Sequence, residues 1–340
     1  RPLLLLPILL AACGKAAPPA STDGGDASAA HAAAPTTSPT AISHGEAAIG
    51  SALTAPDRAA DAPPPPTASY RQIRFVAAHV RHEVAPGVVY EAWTFDSMVP
   101  GPVIRLSVGD TVDFTLVNGG PIPHSMDFHA AEIAPDRAYR SVMPGDSIQF
   151  RFVARVPGAF MYHCGTAPVA SHIANGMYGA LIVDPRAGRA PAQEYVLVQS
   201  EFYLSPPAGP DSTRSMDWSK VLDAFPDYVV FNGVASRYST NPIPVVPRKP
   251  VRMFVVNAGP NRISSFHVVG AIFDRVLADG FGRPFEGMQT WNVPVGGGAV
   301  FEFALREDGF YPFVTHAFAD ATKGAVGVLK AGEPAGTPGH

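Results

Sequence analysis

His163 and Cys164 are adjacent at the end of the run Gly158-Ala-Phe-Met-Tyr-His-Cys164, whose aromatic, apolar composition predicts a β-strand. Successive strand side chains point to opposite faces, so the imidazole and the thiol cannot serve one metal ion but can serve two. Two ligands joined by a single peptide make a short covalent path between metal centres. An enzyme needs such a path when it takes an electron at one centre and uses it at the other.

The thiol has a complete set of partners nearby. His124, Cys164, His172 and Met177 give one distant His, then the Cys, then His eight and Met thirteen residues later. Two imidazoles and a soft thiolate select copper, and a weak axial thioether tunes its potential, so the set predicts an electron-transfer (type 1) copper. The plain alternative is a structural Cys among scattered core residues. Against it, the other cysteine is Cys13, far from any folded segment, while His172 and Met177 fall on the predicted loop leaving the strand of Cys164.

His163 needs partners from elsewhere, and His129 and His316 are the candidates. His124 and His129 are five apart in Pro123-His-Ser-Met-Asp-Phe-His129, an odd spacing that on a strand sends them to opposite faces and so to different metals. Three neutral imidazoles with an open fourth position make a catalytic metal site. Taken singly, each of these histidines would be read as a structural residue with a satisfied hydrogen bond. The constellation argues otherwise.

A chain of 340 residues can build two domains with substantial cores. A net charge of -4 without a basic stripe argues against a nucleic-acid partner. Two cysteines make no disulfide framework. Leu3 to Leu10 form a short apolar run ending in Leu10-Ala-Ala-Cys13-Gly14, similar to a bacterial lipoprotein signal over residues 1–13 in which Cys13 is lipidated. The run is too short for a permanent membrane span, and Arg1 in place of Met implies that the signal extends further. Residues 14–68, rich in Ala, Pro, Ser and Thr, lack the apolar content to offset ordering entropy and are expected to be a disordered tether. His31 and His44 lie in it and have no role in this reading.

From Tyr70 the pattern becomes short period-2 runs: Ile73–Ala78, Val88–Phe95, Val103–Leu106, Thr111–Val117 and Ser147–Val153, an antiparallel sandwich rhythm. The pattern then repeats. Val112-Asp-Phe-Thr-Leu-Val-Asn118 matches Arg252-Met-Phe-Val-Val-Asn257, Phe128-His129 matches Phe266-His267, and the strand of Cys164 matches Asp308 to Ala317. Two tandem β-sandwiches follow, over residues 69–187 and 188–332 with a tail at 333–340. In the second copy Ala317 stands for Cys164, Ala325 for Met177, and Arg262 falls near the place of His124. That copy therefore lacks the thiolate set and keeps His267 and His316 as counterparts of His129 and His163.

The motifs Pro123-His-Ser-Met-Asp-Phe-His-Ala130, Tyr162 to Met177, Ser264-Ser-Phe-His-Val-Val-Gly270 and Val314-Thr-His316 are together highly specific. From Tyr70 to Lys330 the chain resembles the two-domain copper nitrite reductases of the short, lipoprotein-anchored type. The resemblance implies an all-β chain of two tandem cupredoxin-like Greek-key domains, with one type 1 and one type 2 copper per subunit. It implies a homotrimer in which His129 and His163 of one subunit and His316 of the next hold the type 2 copper. It also implies Asp127 and His267 as catalytic residues, and Thr290 as the residue that orients the catalytic His. Nitrite would be the substrate and a c-type cytochrome or small cupredoxin the electron donor. The place would be the periplasmic side of a bacterial envelope, lipid-anchored to the outer membrane. The chain departs from the family in a charged segment Glu132–Arg140, where a small Gly/Ala-rich linker is usual, and in Val269, where an Ile over the substrate pocket is usual.

Two other readings compete. A two-domain multicopper oxidase needs His-x-His pairs for three more coppers, and none occurs between Tyr70 and Lys330. A periplasmic electron carrier would use the type 1 copper alone and leave His129, His163, His267, His316 and Asp127 without work.

Overall fold

The computed structural model describes residues 50–53 and 60–336, apart from residue 281. The signal segment with Cys13, His31, His44, most of the tether and residues 337–340 lie outside the described residues. Among the described residues no helix is long and apolar enough to cross a membrane.

Period-2 alternation produces strands where it was expected. Val88–Phe95 and Ser147–Val153 have the anticipated bounds, Ile104–Ser107 and Thr111–Asn118 differ by one residue, and Tyr70–Ala85 runs far past Ala78. The excess, His79-Val-Arg-His-Glu83, reads as polar. It is a strand because its sheet continues beneath the second half of the chain, where Val80 and Val84 are buried and His82 Nε2 meets the Gly233 carbonyl at 2.7 Å.

Each half is a sandwich of two sheets. In the first, Tyr70–Ala85 lies between Thr111–Asn118 and Val88–Phe95, with Ser147–Val153 beyond Thr111–Asn118. Opposite stand Ile104–Ser107, Tyr178–Asp184, Gly158–His163 and Asp127–Phe128, in that order. The second half repeats the plan. Tyr228–Phe231, Gln193–Phe202, Val251–Gly259, Gly298–Phe303, Phe273–Ala278 and Phe285–Met288 form one sheet. Asn241–Val245, Val326–Ala331, Gly309–Thr315, Ser264–Val268 and Thr290–Val293 form the other. The chain is all-β, two tandem cupredoxin-like Greek-key sandwiches. The sheets are mixed rather than antiparallel, since Tyr70–Ala85 pairs parallel with Thr111–Asn118, and Gln193–Phe202 parallel with Val251–Gly259. Alternation reports which face is buried, not the direction of the neighbouring strand, so the pattern could not tell these apart.

Among the described residues, the interior has one small apolar centre, around Ala174, Tyr203 and Val221, and three large ones. One lies within each sandwich, around Phe114 and Phe128 and around Phe266 and Phe301. The third joins them, combining Tyr90, Met161 and Tyr178 with Phe202, Phe254 and Val300. Burying such a side chain stabilises by about 1.5–3 kcal/mol, so the shared face favours the two halves staying together. Two glycines permit the contact: a Cβ on Gly158 would strike the Asp279 carbonyl, and one on Gly298 the Ala159 carbonyl. The strand that ends in His163 is thus pressed flat against the second half.

The end of the expected tether is held as well. Ala60 is buried, its carbonyl accepts from Val196 N–H at 2.7 Å, and Ala62 N–H donates to Glu194 O at 2.9 Å. The Pro63 carbonyl accepts from the buried Arg105 guanidinium. A small apolar residue and free carbonyls suffice to dock on a sheet edge, which composition averaged over the segment conceals.

Candidate metal centres

Cys164 follows the last residue of the strand Gly158–His163, and its N–H donates to the Met177 carbonyl at 3.1 Å. The expected loop between them is in fact a short helix, Val169–Ala174, that carries His172 inward. Gly176, with φ of 114°, ends it in a left-handed turn, and Met177 N–H returns to the His172 carbonyl at 3.1 Å. Two residues leave the helix and the chain is back beside Cys164. His124 is not on a strand but in a bridge to Val142, clamped because Asn118 Nδ2 donates to the Ile122 and Val142 carbonyls, each at 2.8 Å.

These elements bring three donors together. Cys164 Sγ is 3.3 Å from His172 Nδ1 and 4.0 Å from His124 Nδ1, and the two Nδ1 atoms are 3.3 Å apart. A triangle with those edges has its centre about 2 Å from each corner, the length of a metal–nitrogen bond. All three residues are buried, and Met177 is fully buried beside them. Burial and the neighbouring imidazoles hold His124 down to about 3, and burial holds His172 down to about 4. Both rings are therefore neutral, as ligands must be. Burial pushes the Cys164 thiol up, opposed by hydrogen bonds from Ser125 and Thr166; Ser125 N–H reaches Sγ at 3.3 Å. A cation at the centre would reverse that cost of ionising the thiol. The donor set fits a copper of the type 1 kind.

The second group starts on the other side of the same peptide. Asp127 pairs in register with His163, and His129 lies in the turn just after the two-residue strand Asp127–Phe128. His124 and His129 do go to different groups, but through a bridge and a turn rather than through strand alternation. His163 Nε2 is 3.1 Å from His129 Nε2 and 3.8 Å from Asp127 Oδ2. His163 Nδ1 meets the Cys164 carbonyl at 2.9 Å, and His129 Nδ1 meets the Gly296 carbonyl at 3.0 Å. A carbonyl only accepts, so both Nδ1 atoms carry the proton and the two Nε2 lone pairs face each other. Neither can donate to the other. A shared cation resolves that conflict, with the carbonyls fixing each ring as metal-bound imidazoles require. Burial lowers the His163 imidazole below its ordinary range, the Cys164 carbonyl and Asp127 opposing.

His267 and His316 are not part of this group within one chain. They form their own pair on the second sandwich, ring centroids 5.5 Å apart. His267 Nδ1 donates to the Gln289 carbonyl at 2.6 Å, with Thr290 Oγ1 at 3.5 Å. His316 is exposed, its N–H bound to the Ser265 carbonyl at 2.6 Å and its ring against the exposed Phe318. Val269, two residues past His267, is also exposed. The segment Glu132–Arg140 contains the helical turn Pro135–Ala138, which is capped by Tyr139, whose hydroxyl donates to the Phe128 carbonyl beside His129 at 3.2 Å.

A family model described as multicopper oxidase matches residues 77–188. The chain is 42% identical over 250 residues to a copper-containing nitrite reductase of Neisseria gonorrhoeae, a match covering 72% of this chain and 64% of that protein. It is 32% identical to the copper-containing nitrite reductase of Alcaligenes xylosoxydans xylosoxydans over 69% of this chain and 78% of the other. The chain belongs to the copper-containing nitrite reductases. A solved copper nitrite reductase from Nitrosomonas europaea superimposes with a TM-score of 0.71 at 35% identity, over 79% of this chain and 98% of that one. The chain thus spans less than two thirds of the Neisseria nitrite reductase and nearly all of the Nitrosomonas one.

Residue spacing alone did not reveal His79, Trp93 or Gly296. His79 Nε2 lies 3.2 Å from His124 Nε2, and its ring stacks on Trp93 at 5.1 Å. An isolated His on a strand carries no signal of its partner.

Proposed function

We propose that the protein is a dissimilatory nitrite reductase, reducing nitrite with one electron and two protons to nitric oxide and water. His124, Cys164, His172 and Met177 would hold a type 1 copper. His129 and His163 of one subunit and His316 of its neighbour would hold a type 2 copper in a homotrimer. Copper in these sites supplies one-electron transfer at the first and a Lewis acid for the substrate oxygens at the second.

The observation that carries the reading is the double use of one peptide. Cys164 turns its sulfur to one donor group and accepts, through its carbonyl, the Nδ1–H of His163 in the other. The two sites are thereby joined by a covalent path and by a hydrogen bond across it. A carrier with one copper has no use for the second group, and an oxidase needs ligands the chain lacks.

Asp127, half-buried and 3.8 Å from His163 Nε2, would hold a proton and deliver it to a nitrite oxygen. His267, kept in its Nδ1–H form by Gln289 and Thr290, presents Nε2 for the second proton. The face of the His267–His316 pair, with exposed Phe318 against His316 and exposed Val269 two residues past His267, suits burial against a second copy. A c-type cytochrome or small cupredoxin is the proposed donor, and a lipid on Cys13 the proposed anchor to the periplasmic face of the outer membrane.

The test is nitrite-dependent nitric oxide release from copper-loaded protein with an artificial reductant, alongside copper per chain. Two coppers and nitric oxide support the reductase. One copper without nitric oxide would leave only the carrier, and four would require the oxidase.

A further inference from the structure

We infer that His79 is a positioning residue for the type 1 centre: it accepts a hydrogen bond from His124 and so fixes that ring and sets its electron donation. The inference rests on the reading of His124, Cys164 and His172 as ligands of that copper.

His124 Nδ1 faces Cys164 Sγ and His172 Nδ1. As a ligand atom it carries no proton, so the proton of the neutral ring is on Nε2. The atom opposite Nε2 is His79 Nε2, at 3.2 Å. His79 is therefore the acceptor. Its own ring is held by Trp93, stacked at 5.1 Å with 12° between planes, and Trp93 also packs edge-on against His172 at 5.0 Å. His124 and His172 are buried while His79 is half-buried, so His79 extends the ligand set toward solvent.

The repeat separates this role from ordinary loop support. Ala77 pairs with Asn118, and Gln199 with Asn257, in matching parallel ladders. Asn118 and Asn257 make the same clamp, each donating to one carbonyl of the following loop, Ile122 or Arg262, and to one of a distant segment, Val142 or Val293. Two residues on, His79 and Glu201 occupy the same place. Glu201 holds its loop by the backbone, accepting from Asn261 and Arg262 N–H. His79 binds instead the side chain of His124. A residue needed only to hold the loop would act on the backbone as Glu201 does.

An acceptor on the outer nitrogen raises ligand basicity and favours the oxidised metal. The experiment titrates the visible absorption of copper-loaded wild type, His79→Phe and His79→Gln against a redox mediator. His79→Phe keeps the ring stack and removes the acceptor. At fixed ambient potential its ratio of reduced to oxidised centre should rise on the order of tenfold, about 59 mV for one electron. His79→Gln, whose amide oxygen can accept, should stay near wild type. Copper lost from His79→Phe and regained in His79→Gln would support the same role. An unmoved ratio in His79→Phe, or an equal shift in both variants, overturns it. A wild type without the thiolate–copper band would instead overturn the underlying reading.

Discussion

The two sandwiches share one frame and fill the same pole of it differently. In the first, the pole is apolar and neutral: two imidazoles, a thiol and a thioether, all buried. In the second, Arg262 near the place of His124 forms an ion pair with the buried Asp320 at 2.9 Å, and Glu201 accepts hydrogen bonds from Tyr203, Asn261 and Arg262. The Asn clamp and the parallel strand pairing that carries it recur in both. What the frame requires is that the pole be filled and its loop held. Whether this is done by metal ligands or by a charge network is decided by a few side chains, and only the first choice can exchange electrons.

The strongest test removes what distinguishes the first pole. Cys164→Ala makes it resemble the second at Ala317, and should abolish the visible absorption and donor-driven turnover while leaving a type 2 copper signal through His163. A visible band surviving in that variant would mean that the colour, and the comparison, had been misassigned.

The histidines that the two sandwiches would bring to the second copper give the next largest effect. His129→Ala and His316→Ala subunits should each be inactive alone, yet regain activity when mixed in the proposed trimer, wherever an intact first half meets an intact second half. Mixtures that stay dead at every ratio would place the site within one chain.

A smaller loss is expected from Asp127→Asn, which keeps shape and removes the proton donor. Turnover should fall on the order of 10²-fold with both coppers bound. Unchanged nitric oxide release would make the carboxylate structural.

Glu201→Gln probes the pole that lacks copper. Weakening the bonds to a carboxylate should cost about 1–3 kcal/mol in denaturant unfolding and leave the visible spectrum untouched. If the spectrum moved instead, the two poles would be coupled rather than independent. The least effect belongs to Met177→Leu, where copper should remain and the potential shift, because an axial thioether bond is long and weak. Loss of copper there would make Met177 a primary ligand.

Residue types and spacing already disclosed the ligand candidates, the duplicated all-β plan and the absence of a matching thiolate set from the second copy. Those follow from residue types: sulfur and imidazole have few alternatives in chemistry, and alternation has few alternatives in geometry. Even the separation of His163 from Cys164 could be read off, because one peptide on a strand fixes opposite faces. What depends on contacts between distant parts of the chain emerged only from the folded molecule. His79 reaches His124 across 45 residues and Gly296 fixes His129 across 167, and neither residue type announces its partner. The parallel ladder of Tyr70–Ala85 and the docking of Ala60 were also illegible, since pattern and composition describe which groups are buried and not which neighbour buries them. The second half holds His129 through one carbonyl, a contact that exists only once both sandwiches have folded against each other.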